Sequence, residues 1–482
     1  MSDTAKATRR QFLGSTLLGS AGSPLIVSAR TLGRGAAPPS DRVTIAVLGS
    51  GGRGVFETSQ YPFFDNTEIV AVCDAREDRR IKARDTLEKL YTERTPGRGR
   101  GIRMERDFRE LLARPEIDGV YIATADHWHV PMTVAALKAG KHVHCEKPLG
   151  VSVEQDLAAL KAARRSKKVF QYGAERRSTP ESRKALELVL NGRIGEVRKI
   201  FVVAPAGATG GSPTPVIPVP PGFDYDLWLG PAPMKPFCAD RCLEGAGRNG
   251  IFVIYDYTLG NIANWAAHPL DQVQRWADQA GRTAPPVRYE GSGKIGTVGL
   301  FDTAYEWDVR CTYEDGLVLH MVDDGTYRRY EEAPHPEMPW GRKGVTNVHN
   351  GAVFIGSEGW VIVSYEKVVT HPANLMESEI GPNGIRLPDS SLASIPEGMP
   401  RGQQQVSTAA HHQNWIHAIR NGTPPVCGME TAVRSDLISQ LSELCVRTGQ
   451  SLRWDPKKET ILDNEAARRM IRRPMRKPWG LA

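Results

Sequence analysis

The chain has 482 residues, of which 40% are hydrophobic and 24% charged, a globular balance that excludes wholesale disorder. It contains no run of ~18 apolar residues, so a membrane-spanning helix is excluded. The formal charge of +7 comes from the two ends: Lys6, Arg9 and Arg10 against Asp3, and a tail with Arg468, Arg469, Arg472, Arg473, Arg476 and Lys477. The body between them is close to neutral. That argues against nucleic acid as a partner and for a solvated basic tail.

In chain order, residues 1–29 read as a twin-arginine signal. Arg9-Arg10-Gln11-Phe12-Leu13 opens a weakly apolar stretch that ends in the small-residue exit Val27-Ser28-Ala29. This predicts export, to the periplasm or beyond, of a protein already folded around its cofactor by the twin-arginine machinery. Residues 30–41, rich in Gly, Ala and Pro, form a linker.

Residues 42–170 alternate strand and helix. Val43-Thr44-Ile45-Ala46-Val47-Leu48 is a buried strand that runs into Gly49-Ser50-Gly51-Gly52-Arg53-Gly54, a G-x-G-x-x-G loop. Glycines there allow a tight turn and close approach of backbone amides to a pyrophosphate. A second strand, 68–73, ends in Asp74, about 20 residues past the loop, where a carboxylate accepts from ribose hydroxyls. It repels a 2′-phosphate, which favours NAD, while Arg76 keeps NADP as the alternative. Helices over 79–91, 107–113, 130–139 and 153–166 alternate with strands over 119–123, 142–145 and 169–172. Such a pattern predicts a parallel, doubly wound sheet with ligands at the strands' carboxyl ends, where Gly49, Asp74, Thr124 and Glu146 fall.

Several segments together resemble the Gfo/Idh/MocA (glucose–fructose oxidoreductase / inositol dehydrogenase) family. They are the glycine loop, Cys73-Asp74, Thr124-Ala125-Asp126-His127-Trp128-His129, Ala139-Gly140-Lys141-His142-Val143 and Glu146-Lys147-Pro148. Ala125 departs from the Pro usual in that family. The resemblance implies a cofactor surface of Gly49, Ser50, Gly51, Gly52, Arg53, Gly54, Asp74, Thr124, Asp126, His127, His129, Glu146 and Lys147. It also implies a tightly held nicotinamide.

Residues 171–482 change character. A Pro- and Gly-rich loop over 204–222 precedes strands over 303–313, 317–322, 352–355 and 360–365, with helices over 261–276 and 411–421. Clustered strands predict an α+β domain with a large, mostly antiparallel open sheet. The fold class is therefore α/β, an N-terminal Rossmann domain joined to that second domain. By resemblance the sheet packs on a copy of itself, as a homodimer or homotetramer.

The segment 260–271 resembles the family's second catalytic segment, with His268 as the residue that moves the hydroxyl proton. Asn264 stands where the family has the Asp that orients this His, so the orienting role is open to Asp256 or Asp271. A helix over 261–276 puts Asn264 and His268 on one face. The residue types suit oxidation of a secondary alcohol: an imidazole for the proton, and the Lys147 ammonium for the developing alkoxide. Trp128, Arg176, Tyr255, Asp256, His268 and His412 are the substrate-side candidates.

Seven cysteines make no disulfide framework. Cys238 and Cys242 are spaced for a disulfide or half a metal site, but without a second ligand pair no metal is expected. The expected function is an exported NAD(P)-dependent oxidoreductase acting on a sugar, glycoside or polyol. A redox-neutral glycosidase or lyase passing through a 3-keto sugar is the alternative, and a non-catalytic sugar-binding protein the third reading.

Overall fold

The protein is described by a computed structural model covering residues 41–211, 215–242, 250–332, 348–364 and 367–481. The signal expected at 1–29 and all of the expected linker but residue 41 lie outside the described residues. Residues 43–482 form one compact unit.

Six strands pair in parallel as β1 (Val43–Leu48), β2 (Thr67–Cys73), β3 (Arg103–Glu105), β4 (Gly119–Ile122), β5 (His142–Glu146) and β6 (Phe170–Gly173), in the order β3-β2-β1-β4-β5-β6. Helices cover both faces, so β1, β4 and β5 are nearly all buried, as continuous β-branched and apolar runs require. The short edge strand β3 has no sequence expectation behind it. The strand order reverses between β1 and β4, which opens a crevice at their carboxyl ends. The helix after β4 starts at Asp126, so Asp126, His127, Trp128 and His129 occupy its first turn and not a loop.

The second sheet has nine strands: β7 (Val197–Ala204), β8 (Arg288–Ile295), β9 (Ala304–Thr312), β10 (Val318–Asp323), β11 (Gly351–Gly356), β12 (Trp360–Ser364), β13 (Val368–His371), β14 (Leu452–Asp455) and β15 (Thr460–Ile461). They run in the order β13-β12-β11-β7-β10-β9-β8-β14-β15, with β7 and β10 parallel and every other neighbouring pair antiparallel. One face packs on the helices Ala267–Gln279 and Met429–Thr448. On the other, Phe201, Val203, Val353 and Trp360 form a buried cluster with Tyr327 of the helix Asp324–Glu332, so this face is not wholly free.

Two expectations are corrected. The segment 261–276 is not one uninterrupted helix: the helical turn Asn261–Asn264 and the helix Ala267–Gln279 are joined by Trp265 and Ala266, which keep right-handed helical dihedrals but interrupt the hydrogen-bond ladder. The basic tail is only partly solvated: Arg468, Arg469, Arg472 and Lys477 are exposed, while Arg473 and Arg476 are half-buried against the body. Arg476 reaches Asp226 (2.6 Å) and the Gly230 carbonyl (3.0 Å), while Trp479 meets the edge of Trp128 with centroids 4.8 Å apart. The tail is a strap in which Arg473 and Arg476 satisfy carbonyls and a carboxylate of the body.

Candidate active site

A cavity of about 590 Å³ lies at the carboxyl end of the first sheet and runs from the glycine loop to the segment around Asn264. At its nucleotide end the backbone dictates the residues. Gly49 has φ +91°, and a Cβ there would meet the Ala123 carbonyl oxygen at 2.5 Å; a Cβ on Gly54 would meet the Gly49 oxygen at 2.0 Å. No side chain fits either place, so the loop keeps the open cradle a pyrophosphate needs. Asp74 is pinned beside it, its two oxygens accepting from the Ser50 amide (2.9 Å) and the Arg76 amide (3.0 Å). Burial raises its carboxyl, opposed by Arg79 and by these amides. Arg76 itself pairs with Asp78, whereas Arg79 and Arg106 line the cavity. The residues at this end fit a dinucleotide.

Arg53 behaves otherwise. Its guanidinium sits in a cluster of carboxylates: Glu57 at 2.9 Å, Glu146 at 3.2 Å and Glu175 at 3.2 Å. Three acids surround this cation, which also lines the cavity beside the glycine loop. Glu146, at the end of β5, also accepts from the Tyr121 hydroxyl (2.6 Å).

At the other end stands Lys147. The loop that carries it is clamped from below by Asp436, whose carboxylate accepts from the amides of Leu149 (2.6 Å) and Gly150 (3.4 Å) and from the Tyr172 hydroxyl (2.6 Å). Lys147 Nζ donates to the carbonyl and to the side-chain oxygen of Asn264, both at 3.0 Å. The Asn264 amide nitrogen then faces Asp126 at 3.3 Å, and Asp126 also accepts from Thr258 at 2.7 Å. Lys147 can only donate and Asp126 accepts, so the amide orientation between them is determined. Burial lowers the Lys147 ammonium, with Arg53 adding to it and nearby carboxylates opposing.

Asn264 and His268 both line the cavity, but they make different contacts. Asn264 serves Lys147, while His268 Nε2 lies 4.0 Å from Glu175 Oε1. Burial pushes the His268 imidazole down to about 3; Glu175 opposes that, and Lys147 and Arg53 reinforce it. Neither carboxylate expected to orient His268 does so. Asp271 is held by Arg177 Nε at 2.8 and 2.7 Å, and Asp256 is outside the cavity lining.

The remaining expected residues divide. Gly51, Gly52, Thr124 and His129 line the cavity; Ser50 acts through its amide. His129 ties the Thr124 carbonyl (3.1 Å) to the Pro148 carbonyl (2.7 Å) and so joins the two loops. His127 is outside the cavity lining: it sits against the Trp228 carbonyl (3.1 Å), and burial pushes it down to about 4. Trp128 borders the cavity but offers no open face, because its indole donates to the Leu227 and Trp228 carbonyls and packs on Phe108 and Trp479. Arg176 lines a separate cavity of about 300 Å³. Tyr255 is sandwiched by Arg447 (3.5 Å) and Arg473 (3.7 Å), where it anchors the tail. His412 is a core residue, stacked on Tyr61 with centroids 4.9 Å apart and 3.4 Å from Glu57.

Sequence reasoning missed Glu175, Trp265 and Asp436. Glu175 follows the carboxyl end of β6, a position the strand-end rule could have flagged. Trp265 is 40% exposed on the cavity wall, its ring 5.7 Å from Lys147 Nζ. Nothing local marks Asp436. Cys238 and Cys242 are free and buried, with no disulfide, and burial pushes the Cys242 thiol up to about 12. Among the described residues no group of three His, Cys, Asp or Glu could hold a metal.

Residues 43–174 match the NAD-binding Rossmann fold of the Gfo/Idh/MocA oxidoreductase family, and residues 201–343 and 376–481 match its C-terminal α/β domain. The chain is 28% identical over 181 residues to a myo-inositol 2-dehydrogenase of Thermotoga maritima, covering 38% of this chain and 47% of that one. It is 29% identical over 161 residues to an alpha-N-acetylgalactosaminidase of Shewanella oneidensis, covering 33% and 34%. These matches span a third to a half of the relatives' own length. In fold, a levoglucosan dehydrogenase solved with NADH and levoglucosan superposes with TM-score 0.56 at 16% identity, over 86% of this chain and 99% of that one. GenD2 from gentamicin A biosynthesis, solved with NAD, gives 0.56 at 16%, over 87% and 98%. With both of its domains matched, the chain belongs to the Gfo/Idh/MocA family of NAD-binding oxidoreductases.

Proposed function

We propose that the protein oxidises or reduces a secondary hydroxyl of a sugar, glycoside or polyol, using a tightly held nicotinamide cofactor. One observation carries the reading: Lys147 Nζ, fixed at 3.0 Å from Asn264, lies on the wall of the same cavity that Gly49 and Asp74 line. The nicotinamide supplies the hydride acceptor or donor when bound. Lys147 donates to the substrate oxygen and stabilises negative charge growing on it, and the buried, neutral His268 takes the hydroxyl proton. The half-exposed Trp265 face beside Lys147 suits the apolar face of a sugar ring. Asp74, with both oxygens on backbone amides, favours NAD, whereas Arg79 and Arg106 are the groups an NADP phosphate would use.

The proposal includes export by the twin-arginine route, on the strength of Arg9-Arg10-Gln11-Phe12-Leu13, and self-association through the second sheet. Cofactor retention fits export, because a nicotinamide carried in the folded protein needs no external pool. The likeness to an alpha-N-acetylgalactosaminidase supports a second reading, redox-neutral glycoside cleavage through a 3-keto sugar. One experiment separates the readings. Protein produced in the cytosol is denatured to identify released nicotinamide, and sugars and glycosides are screened against the intact holoprotein. Net reduction of bound cofactor supports the oxidoreductase, and release of free sugar without net change supports the glycosidase. Protein that neither carries nor binds NAD or NADP overturns both.

A further inference from the structure

Asn264 cannot carry the charge that would support a proton on His268, and its amide is already committed to Lys147 and Asp126. Lys147, Arg53 and Arg176 surround the imidazole with positive charge, and Glu175 is the carboxylate that counters them. Glu175 is buried on the short turn after β6. Its Oε1 lies 4.0 Å from His268 Nε2 and 3.2 Å from Arg53. Other acids nearby are engaged elsewhere: Asp271 with Arg177, Asp126 with Thr258, Glu146 with Tyr121. Burial works against ionisation of Glu175, yet His268 and Arg53 outweigh it and hold the carboxyl well below the usual range.

We propose that Glu175 is the positioning residue of the proton-transfer site, supplying from β6 the negative charge that position 264 lacks. The inference rests on the reading that His268 takes the substrate proton. In that step the hydroxyl O–H bond breaks and an N–H bond forms on His268. The carbinol C–H bond breaks with its electron pair passing to the nicotinamide. The imidazolium so formed gains a carboxylate partner in a dry site, where one charge counts for more than in water. The site therefore holds two separate polar pairs, Lys147 with Asn264 and His268 with Glu175.

The test uses the holoprotein and a sugar that reduces its bound cofactor, and compares Glu175→Gln, Asn264→Asp and the double variant. Glu175→Gln is expected to lower kcat by about tenfold to a hundredfold with KM within about twofold. Adding Asn264→Asp should return kcat to within about threefold of the native protein, a rescue that a merely structural role would not permit. A Glu175→Gln protein with native kcat, a loss confined to KM, or a double variant no better than the single one overturns the inference. If Glu175→Gln does not fold, Glu175→Asp decides: its charge should leave the acid limb of the kcat profile in place, and a displaced limb overturns the proposal. A native protein that retains nicotinamide but turns over no sugar or glycoside defeats the functional reading itself, and so is distinguishable from failure at Glu175.

Discussion

The two ends of the cavity are built by different means. The nucleotide end is backbone: amides, glycines that tolerate no Cβ, and one carboxylate pinned by two N–H groups, all within residues 49–79. The chemical end is side chains from four separated stretches, supplying Arg53, then Glu146 with Lys147, then Glu175, then Asn264 with His268. A backbone site tolerates no substitution but depends on few partners. A side-chain site tolerates rearrangement of charge, provided the total is kept. Carboxylate function is accordingly absent at 264 and present at 126 and 175.

That contrast can be broken most severely at Lys147. Lys147→Met should lower kcat by about a thousandfold, because the growing alkoxide loses its cation. Released nicotinamide per protein should stay at the native level; its loss would mean that the two ends are not separable. Gly54→Ala should do the opposite. The added Cβ strikes the Gly49 oxygen at 2.0 Å, and NAD affinity should fall by roughly a hundredfold, about 3 kcal/mol by titration calorimetry. An unchanged affinity would refute the close-approach account of the loop.

Smaller effects sharpen the picture. Asp74→Ser removes a charged acceptor and the repulsion of a 2′-phosphate. The ratio of NAD to NADP affinity should fall by about tenfold to a hundredfold, measured by competitive binding. Trp265→Ala should raise the sugar KM about threefold to tenfold with kcat nearly kept, whereas a matching loss in kcat would give the indole a role in the chemistry.

The smallest effect concerns the clamp under Lys147. Burial pushes Asp436 up to about 7 from an ordinary value of 3.8, and the neighbouring Asp156 is also raised, by burial and by Asp436. The folded protein therefore holds a proton that the unfolded chain releases, so stability should fall as pH rises through that window. Melting temperature followed against pH should show the decline, a matter of a few degrees. Asp436→Asn should flatten it, and an equal slope in the variant would locate the proton elsewhere.

Much of the first sheet was legible because its signals are local. Apolar runs, the glycine loop and an acid about 20 residues on are neighbours in sequence, and Gly49, Asp74 and Lys147 do meet in one cavity. Local logic also misled. Four-residue spacing put Asn264 and His268 on one helix face, and both line the cavity, yet their partners differ: Asn264 bonds Lys147 and Asp126, whereas His268 faces Glu175. Trp128 read as a substrate-side candidate, but Leu227, Trp228 and the returning tail enclose it. The tail read as solvated because charge density says nothing of the carbonyls waiting at Gly230 and Tyr255.

The sequence by itself determined the strand–helix alternation, the nucleotide cradle and the identity of the cation at the end of β5, since each depends on residues within one supersecondary unit. Tertiary structure alone decided which carboxylate faces His268, which indole stays open, and what holds the Lys147 loop in place. Glu175 and His268 are far apart in the chain, as are Lys147 and Asp436, and only packing brings them together. Electrostatic partnership falls off over a few ångströms of space, whatever the separation along the chain.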